Sequence, residues 1–88
     1  MERYSVLITS SAAKELEAID GRANRTRIVR AIQALVENPR PPGCEKLTGS
    51  DGRYRVRVGH YRIVYAVDDA ERVVDVVKIG HRREVYRV

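Results

Sequence analysis

The sequence predicts an α+β domain in which two N-terminal helices pack on one face of a mainly antiparallel four-stranded sheet. Two patterns support this fold class: apolar residues recur at helical spacing in the first half of the chain, and apolar and polar residues alternate in the second. The predicted order of elements is β-α-α-β-β-β. The 88 residues are expected to form one domain (1–88), because a chain of this length has room for only one modest core.

The first strand and the first helix are predicted at the start of the chain. Tyr4–Thr9 (YSVLIT) is rich in residues that favour strands. Ser10 and Ser11 can cap a helix over AAKELEAI, and Asp20-Gly21 is a typical helix end. This segment therefore indicates a strand followed directly by a short helix.

A longer amphipathic helix is predicted over NRTRIVRAIQALVEN. Its apolar stripe consists of Ile28, Ile32, Leu35 and Val36. Asn38-Pro39 ends the helix, since the residue before a proline disfavours helical geometry. The following PRPPG is predicted to be a stiff loop.

The C-terminal half is predicted to be a strand meander. Arg53–Val58 and Tyr61–Val67 are joined by Gly59-His60, a pair that suits a two-residue type II′ turn. A turn at Asp68–Glu71 leads to a last strand, VVDVVKIG, and the tail HRREVYRV is too short to assign. These segments complete the four predicted strands.

The hairpin turn also predicts which side chains share a face. With Gly59-His60 as the loop, the opposed pairs are Val58 with Tyr61, Arg57 with Arg62, Val56 with Ile63, Arg55 with Val64, and Tyr54 with Tyr65. Directly opposed residues point the same way. The Tyr, Val and Ile residues of three of these pairs (Val58–Tyr61, Val56–Ile63 and Tyr54–Tyr65) therefore form a core layer, and Arg55, Arg57 and Arg62 share the other face.

The sign of that second face predicts an anion site. Polar residues are normal on the wet face of a sheet, but like charges opposed across strands are destabilising. No acidic residue occurs between Arg53 and Arg62, and the chain carries a net charge of +5. Because guanidinium groups bind phosphate oxygens bidentately, a phosphodiester is the anion that this face fits best.

Other features of the sequence argue against a membrane protein, a secreted protein and a metalloprotein. We find no apolar run long enough to span a membrane and no signal-peptide pattern. The lone Cys44 cannot form an internal disulfide and has no Cys or His at metal-site spacing. We therefore expect an intracellular protein that needs no metal or cofactor and does not bind membranes.

Three segments together resemble a known family. The succession KLTG, YRVRVGHYRIVYAV and VVKIGHRREVYR is similar to the RelE toxins of bacterial and archaeal toxin–antitoxin pairs, within the RelE/ParE superfamily. The resemblance covers nearly the whole chain. It implies a cytoplasmic, metal-independent mRNA endonuclease that acts in the ribosomal A site. In that reaction the 2′-hydroxyl attacks the adjacent phosphate and leaves a 2′,3′-cyclic phosphate and a 5′-hydroxyl.

The resemblance also implies roles for individual residues. The catalytic set is expected to be Arg55, Arg57, Arg62, Arg82 and Tyr86. Further RNA contacts are expected from Lys46, Arg53, Lys78 and Arg83. In these roles Arg62 and Arg82 stabilise charge on the phosphorane, and Tyr86 stacks on or orients the substrate.

The group that accepts the proton is left open by the sequence. Rapidly cleaving family members have lysines where this chain has Arg55 and Arg57, and an arginine is a poor general base. The remaining candidates are Tyr86, Lys46, Lys78, His60, His81 and the geometry of the substrate itself.

Two other functions compete with the nuclease. One is a ParE-like inhibitor of DNA gyrase that cuts no RNA, and the other is a non-enzymatic basic RNA-binding or antitoxin-like module. The family implies a cognate RelB-like antitoxin as partner, and mRNA with the surrounding rRNA as the other contact. The toxin alone is expected to be a monomer that forms a hetero-oligomer with the antitoxin.

Overall fold

The computed structural model describes residues 3–49 and 52–81. Within these residues it contains two helices and five strands. In chain order they are β1 (Ser5–Ile8), α1 (Ser10–Glu17), α2 (Arg22–Ala34), β2 (Glu45–Lys46), β3 (Arg53–Val58), β4 (Tyr61–Asp68) and β5 (Val73–His81). None of the described helices is long and apolar enough to cross a membrane.

The strands form one sheet in the order β1-β5-β4-β3-β2. β1 runs parallel to β5, and the other neighbouring strands are antiparallel. The fold class is therefore the predicted one, with a fifth strand added. The prediction of four strands was wrong by β2, which is two residues long and pairs with β3 at the edge of the sheet. A strand this short carries no alternation that a sequence pattern can detect.

The helix boundaries differ from those predicted. Thr9, not Ser10 or Ser11, caps α1: its Oγ1 accepts a hydrogen bond of 3.2 Å from the backbone N–H of Ala12. α2 starts two residues earlier and ends four residues earlier than the predicted segment 24–38, because its last turn loosens into the loop around Leu35. Such shifts at helix ends leave the buried stripe unchanged.

Both helices contribute to a core on one face of the sheet. The fully buried apolar residues come from the helices and from β4 and β5, and include Ile28, Leu35, Ile63, Tyr65 and Val76. The apolar side chains predicted for the inner face of the hairpin all belong to this cluster or pack against it. The core therefore lies between the helices and one face of the sheet.

An exposed polar network ties the loop after α2 to the rest of the fold. Arg40 makes a bidentate contact with Asp69, with distances of 3.1 and 2.8 Å, and its Nε donates to the Tyr54 hydroxyl at 3.0 Å. The Tyr4 hydroxyl donates to the same Asp69 carboxylate at 2.7 Å. These contacts lower the pKa of Asp69 to about 2, chiefly through the hydrogen bond from Arg40 and then that from Tyr4. The loop from α2 is thus held against the β4–β5 turn.

Candidate functional site

The β3–β4 hairpin has the predicted register. The opposed pairs are Val58–Tyr61, Arg57–Arg62, Val56–Ile63, Arg55–Val64 and Tyr54–Tyr65. Gly59 has φ +61°, while Arg72 is the single non-glycine residue with positive φ in the part of the chain that is described. A positive φ at the first loop residue alone is what a type II′ turn requires. The local sequence of the hairpin therefore determines its pairing.

The arginine face is made by Arg55 and Arg57 on β3 and by Arg62 on β4. It lies opposite the face that packs on the helices, because side chains alternate along each strand and the intervening residues enter the core. Arg57 is exposed, the side chain of Arg55 is 17% exposed, and Arg62 is buried with 2% exposure. The predicted grouping is thus correct, but the arginines differ in depth. A charge as deep as that of Arg62 acts through a less polar medium and therefore more strongly.

One carboxylate stands among these arginines and was missed by the sequence reasoning. Glu45 on β2 is directly opposite Arg55, and its Oε2 accepts a hydrogen bond of 2.6 Å from the Arg55 Nη2. No acidic residue interrupts the hairpin in sequence, but the adjacent strand β2 provides one in space. The acidic residue next to the KLTG segment was the available signal, and without the register of β2 it could not be assigned to either face.

All three arginines lower the pKa of the Glu45 carboxyl. The hydrogen bond from Arg55 and then its charge lower the pKa of the Glu45 carboxyl, and the charges of Arg62 and Arg57 lower it further. Three guanidinium groups are therefore within electrostatic reach of one carboxylate. The hairpin register, which puts the three side chains on one face, and their common effect on Glu45 together define the arginine cluster.

A shallow cavity borders this cluster at the edge of the sheet. It has a volume of about 360 Å³ and is lined by Pro42, Gly43, Glu45, Val56 and Arg57. Two oppositely charged side chains, Glu45 and Arg57, thus line the same space. An anion entering the cavity meets both of them.

The other predicted RNA contacts are dispersed. Arg53 is exposed on the arginine face, in register with Ala66. Lys46 is exposed but is opposite Tyr54, which points to the helix side of the sheet. Of these two residues, the register places Arg53 with the arginine cluster and Lys46 away from it.

Lys78 is engaged in an ion pair with α1. Its Nζ is 2.9 Å from Oε2 of Glu15, and the other oxygen of that carboxylate accepts a hydrogen bond of 3.1 Å from the backbone N–H of Ile79. These contacts fasten α1 to β5. The Lys78 ammonium is therefore partly neutralised by a structural partner.

The two histidines lie together at the hairpin end, and His81, opposite Tyr61, is on the helix side. The rings of His60 and His81 are stacked with centroids 6.3 Å apart, and His81 makes an edge contact of 5.7 Å with Tyr61. His81 and Tyr61 also line a cavity of about 310 Å³ with residues of α1, such as Glu15. The sheet therefore separates His81 from the arginine face.

Three predicted site residues lie outside the described residues: Arg82, Arg83 and Tyr86. Among the residues that are described, no group of three His, Cys, Asp or Glu side chains is arranged to hold a metal ion. The arrangement that is present, a cluster of guanidinium groups on a sheet, can bind and stabilise a phosphate.

The chain is similar to known toxins of toxin–antitoxin systems. The family model described as "ParE toxin of type II toxin-antitoxin system, parDE" matches residues 6–86. The chain is 31% identical over 85 residues to the toxin RelE of Mycobacterium tuberculosis, covering 97% of this chain and 88% of the relative. A putative RelE toxin of Methanocaldococcus jannaschii is 31% identical over 88 residues, with 97% of each protein covered.

Solved structures agree with the sequence relatives. The RelE–RelB complex of Pyrococcus horikoshii contains a chain with a TM-score of 0.81 and 29% identity, with 93% of this chain and 97% of that chain covered. The isolated RelE toxin of Escherichia coli gives a TM-score of 0.77 at 31% identity, covering 96% of this chain and 92% of that one. The described fold is thus similar to that of toxins solved both with and without an antitoxin.

Proposed function

The chain belongs to the ParE toxin family of type II toxin–antitoxin systems, and we propose that within it the chain is a RelE-type endoribonuclease that cleaves mRNA in the ribosomal A site. The observation that carries the proposal is the cluster of Arg55, Arg57 and Arg62 on one face of the hairpin. A fold selected only for stability gains nothing from two arginines opposed across the strands. A phosphate-binding enzyme does gain from them.

The proposed reaction uses these cations to stabilise the transition state. The 2′-oxygen attacks the neighbouring phosphorus as the P–O5′ bond breaks, so one proton leaves the 2′-hydroxyl and one is added to the 5′-oxygen. Negative charge develops on the non-bridging oxygens, where preorganised guanidinium groups stabilise it. Arg62 is suited to this role because it is buried and held by the central strand β4. Arg57 and Arg55 would hold the phosphate from β3.

We assign proton transfer to Tyr86 in the C-terminal tail and to the geometry of the substrate itself. Among the other candidates, Lys46, Lys78 and His81 are directed to the helix side of the sheet or held in an ion pair. Tyr86, which the family resemblance assigns to the site, and His60 in the hairpin turn are the remaining side chains of the set, and we favour Tyr86. The ribosome would contribute by aligning the 2′-hydroxyl, since orientation alone can supply several kcal/mol of a barrier.

The proposed partners follow from the relatives. Several similar structures are complexes of RelE with RelB, and we extend this pairing to a cognate RelB-like antitoxin for this chain. An acidic antitoxin segment would neutralise the same arginines that bind mRNA. Because the proposed substrate is mRNA on the ribosome, we also propose that the toxin acts in the cytoplasm.

The test combines growth arrest with mapped 5′-ends on translated messages. We expect the wild-type chain to arrest growth and to produce new 5′-hydroxyl ends within coding regions. Arg62→Ala, Arg82→Ala and Tyr86→Phe should each reduce both effects by about 100-fold, the usual cost of removing a group that stabilises the transition state. Arg22→Ala, an exposed arginine at the start of α2, is the matched control. Circular dichroism verifies that the buried Arg62 variant is folded.

The alternative hypothesis, a ParE-like inhibitor of DNA gyrase, predicts a different result in the same experiment. A gyrase inhibitor would arrest growth while the messages remain intact, and purified gyrase would then be inhibited directly. Arrest that persists in all three variants would also overturn the nuclease proposal.

A further inference from the structure

We propose that Glu45 is an internal competitor for phosphate, occupying the anion site of the arginine cluster and lowering the affinity of the toxin for free RNA. The inference rests on the proposed function, because it concerns the same cluster and explains a preference for mRNA held by the ribosome. It assigns Glu45 a role in selecting the substrate.

The geometry of Glu45 resembles that of a bound phosphate oxygen. Its Oε2 is 2.6 Å from the Arg55 Nη2, the short distance of a charge-assisted hydrogen bond. A carboxylate and a phosphate present similar oxygen pairs to a guanidinium group. The carboxylate therefore uses a donor that an RNA phosphate would use.

The exposed fractions of the two side chains show that an incoming RNA strand meets Glu45 before Arg55. The side chain of Glu45 is 57% exposed, whereas that of Arg55 is 17% exposed. Glu45 also lines the cavity of about 360 Å³ that Arg57 borders. An RNA phosphate approaching Arg55 or Arg57 through this cavity must pass the carboxylate or displace it.

The surrounding charges keep the competitor ionised. Arg55, Arg62 and Arg57 all lower the pKa of the Glu45 carboxyl, so it carries a full negative charge at neutral pH. A negative charge at this position attracts the arginines and repels an RNA phosphate at the same time. Both effects weaken the binding of a phosphodiester to the cluster.

This weakening has little consequence for a substrate that the ribosome already holds. When a larger assembly positions the message, effective concentration replaces intrinsic affinity. Free RNA has no such help and must pay the whole cost of displacing the carboxylate. Glu45 thus biases the toxin towards ribosome-bound message.

Two other roles for Glu45 predict different outcomes, one for RNA binding and one for cleavage. If the carboxylate orients Arg55 for catalysis, its removal weakens RNA binding. If it is the general base, its removal abolishes cleavage on every substrate, although a lowered pKa makes a carboxylate a weaker base.

The test compares Glu45→Gln with Glu37→Gln. Both substitutions remove one negative charge and keep the side-chain shape, but Glu37 pairs with Arg3 at 4.0 Å and is not part of the arginine cluster. Binding of the full chain to a labelled single-stranded RNA is measured by fluorescence anisotropy at several salt concentrations. We expect Glu45→Gln to bind about 5-fold more tightly than Glu37→Gln at low salt, the effect of one unscreened charge at contact distance.

The salt dependence and the cleavage ratio complete the test. The slope of log affinity against log salt should steepen by up to about 0.7 for Glu45→Gln, the value of one added phosphate contact on a single strand. Cleavage of free RNA relative to ribosome-bound RNA should rise in the same variant. Equal affinity for the two variants, or weaker binding by Glu45→Gln, would overturn the inference.

Failure of this inference and failure of the proposed function give different results. If the wild-type chain cuts no mRNA on ribosomes, the nuclease proposal fails, yet tighter RNA binding by Glu45→Gln still supports a competing carboxylate. If the wild-type chain cleaves as proposed and Glu45→Gln shows no gain in binding, the inference alone fails.

Discussion

Arg57 and Arg62 are directly opposite each other on β3 and β4, so two cations point to the same face of the sheet at one cross-strand pair. Arg57 is exposed and Arg62 is buried, which arranges the two charges at different depths. Such a pair is unfavourable for folding and favourable for binding an anion. Stability and function therefore depend on it in opposite directions.

Replacing Arg57 should separate these two effects. We expect Arg57→Thr to raise Tm by a few degrees, because it removes a repulsion of up to about 1 kcal/mol and introduces a residue that favours strands. Cleavage of ribosome-bound mRNA should fall at least about 10-fold, since a phosphate contact is lost. Thermal unfolding and single-turnover cleavage measure the two quantities.

The stability control for this prediction is Arg53→Thr. Arg53 is on the same strand and face but is opposite Ala66, so its removal relieves no opposed charge. An equal gain in Tm for the two variants would mean that the Arg57–Arg62 repulsion contributes nothing.

The buried hydroxyl of Tyr65 should stabilise the loop that follows α2. It donates a 2.8 Å hydrogen bond to the backbone carbonyl of Pro39, and burial raises the pKa of the hydroxyl, which keeps it a neutral donor. Tyr65→Phe leaves that carbonyl without its partner and should lower the free energy of unfolding by about 1–2 kcal/mol. Urea titration measures the change. Tyr54→Phe, which alters an exposed contact with Arg40, should cost less, and an equal cost would contradict the prediction.

The contact between Arg40 and Asp69 should make stability depend on pH in the acid range. The pKa of Asp69 is lowered from 3.8 to about 2, so its contribution is complete above pH 3.8 and is lost as pH falls towards 2. Asp69→Asn should therefore lower Tm by a few degrees at neutral pH and have a diminishing effect below pH 3.8. Calorimetric scans of both proteins across this range test the sign. A difference that is constant with pH would exclude a role for the ionised carboxylate.

The stacked histidines should be dispensable for cleavage. His81 is on the helix side with Tyr61, and the sheet lies between it and Arg62. We expect a His60→Gln/His81→Gln double variant to retain cleavage within about 10-fold, whereas loss of a true general acid or base costs about 100-fold or more. Cleavage rates on ribosome-bound mRNA decide between these values. A loss as large as that of Arg62→Ala would place a histidine at the reacting atoms.

The hairpin was predictable because the information that specifies it is local. The alternation on the two sides of a Gly-X turn is enough to set the register, and one register determines which residues share a face. The apolar stripe of α2 was equally predictable, because Ile28 and Ile32 recur at helical spacing. Both residues are buried in the structure. The sequence also carried the motifs of the family, which the comparisons bear out.

Other features were decided only by the tertiary structure. The parallel pairing of β1 with β5 joins segments that are far apart in sequence, and no local pattern encodes it. The two-residue strand β2 carries no periodicity, yet it places Glu45 opposite Arg55 and changes the charge of the site. The burial of Arg62 likewise depends on the surrounding fold. The sequence by itself thus determined which residues share a face, because alternation is a property of the strand, whereas long-range packing determined their depth and their partners.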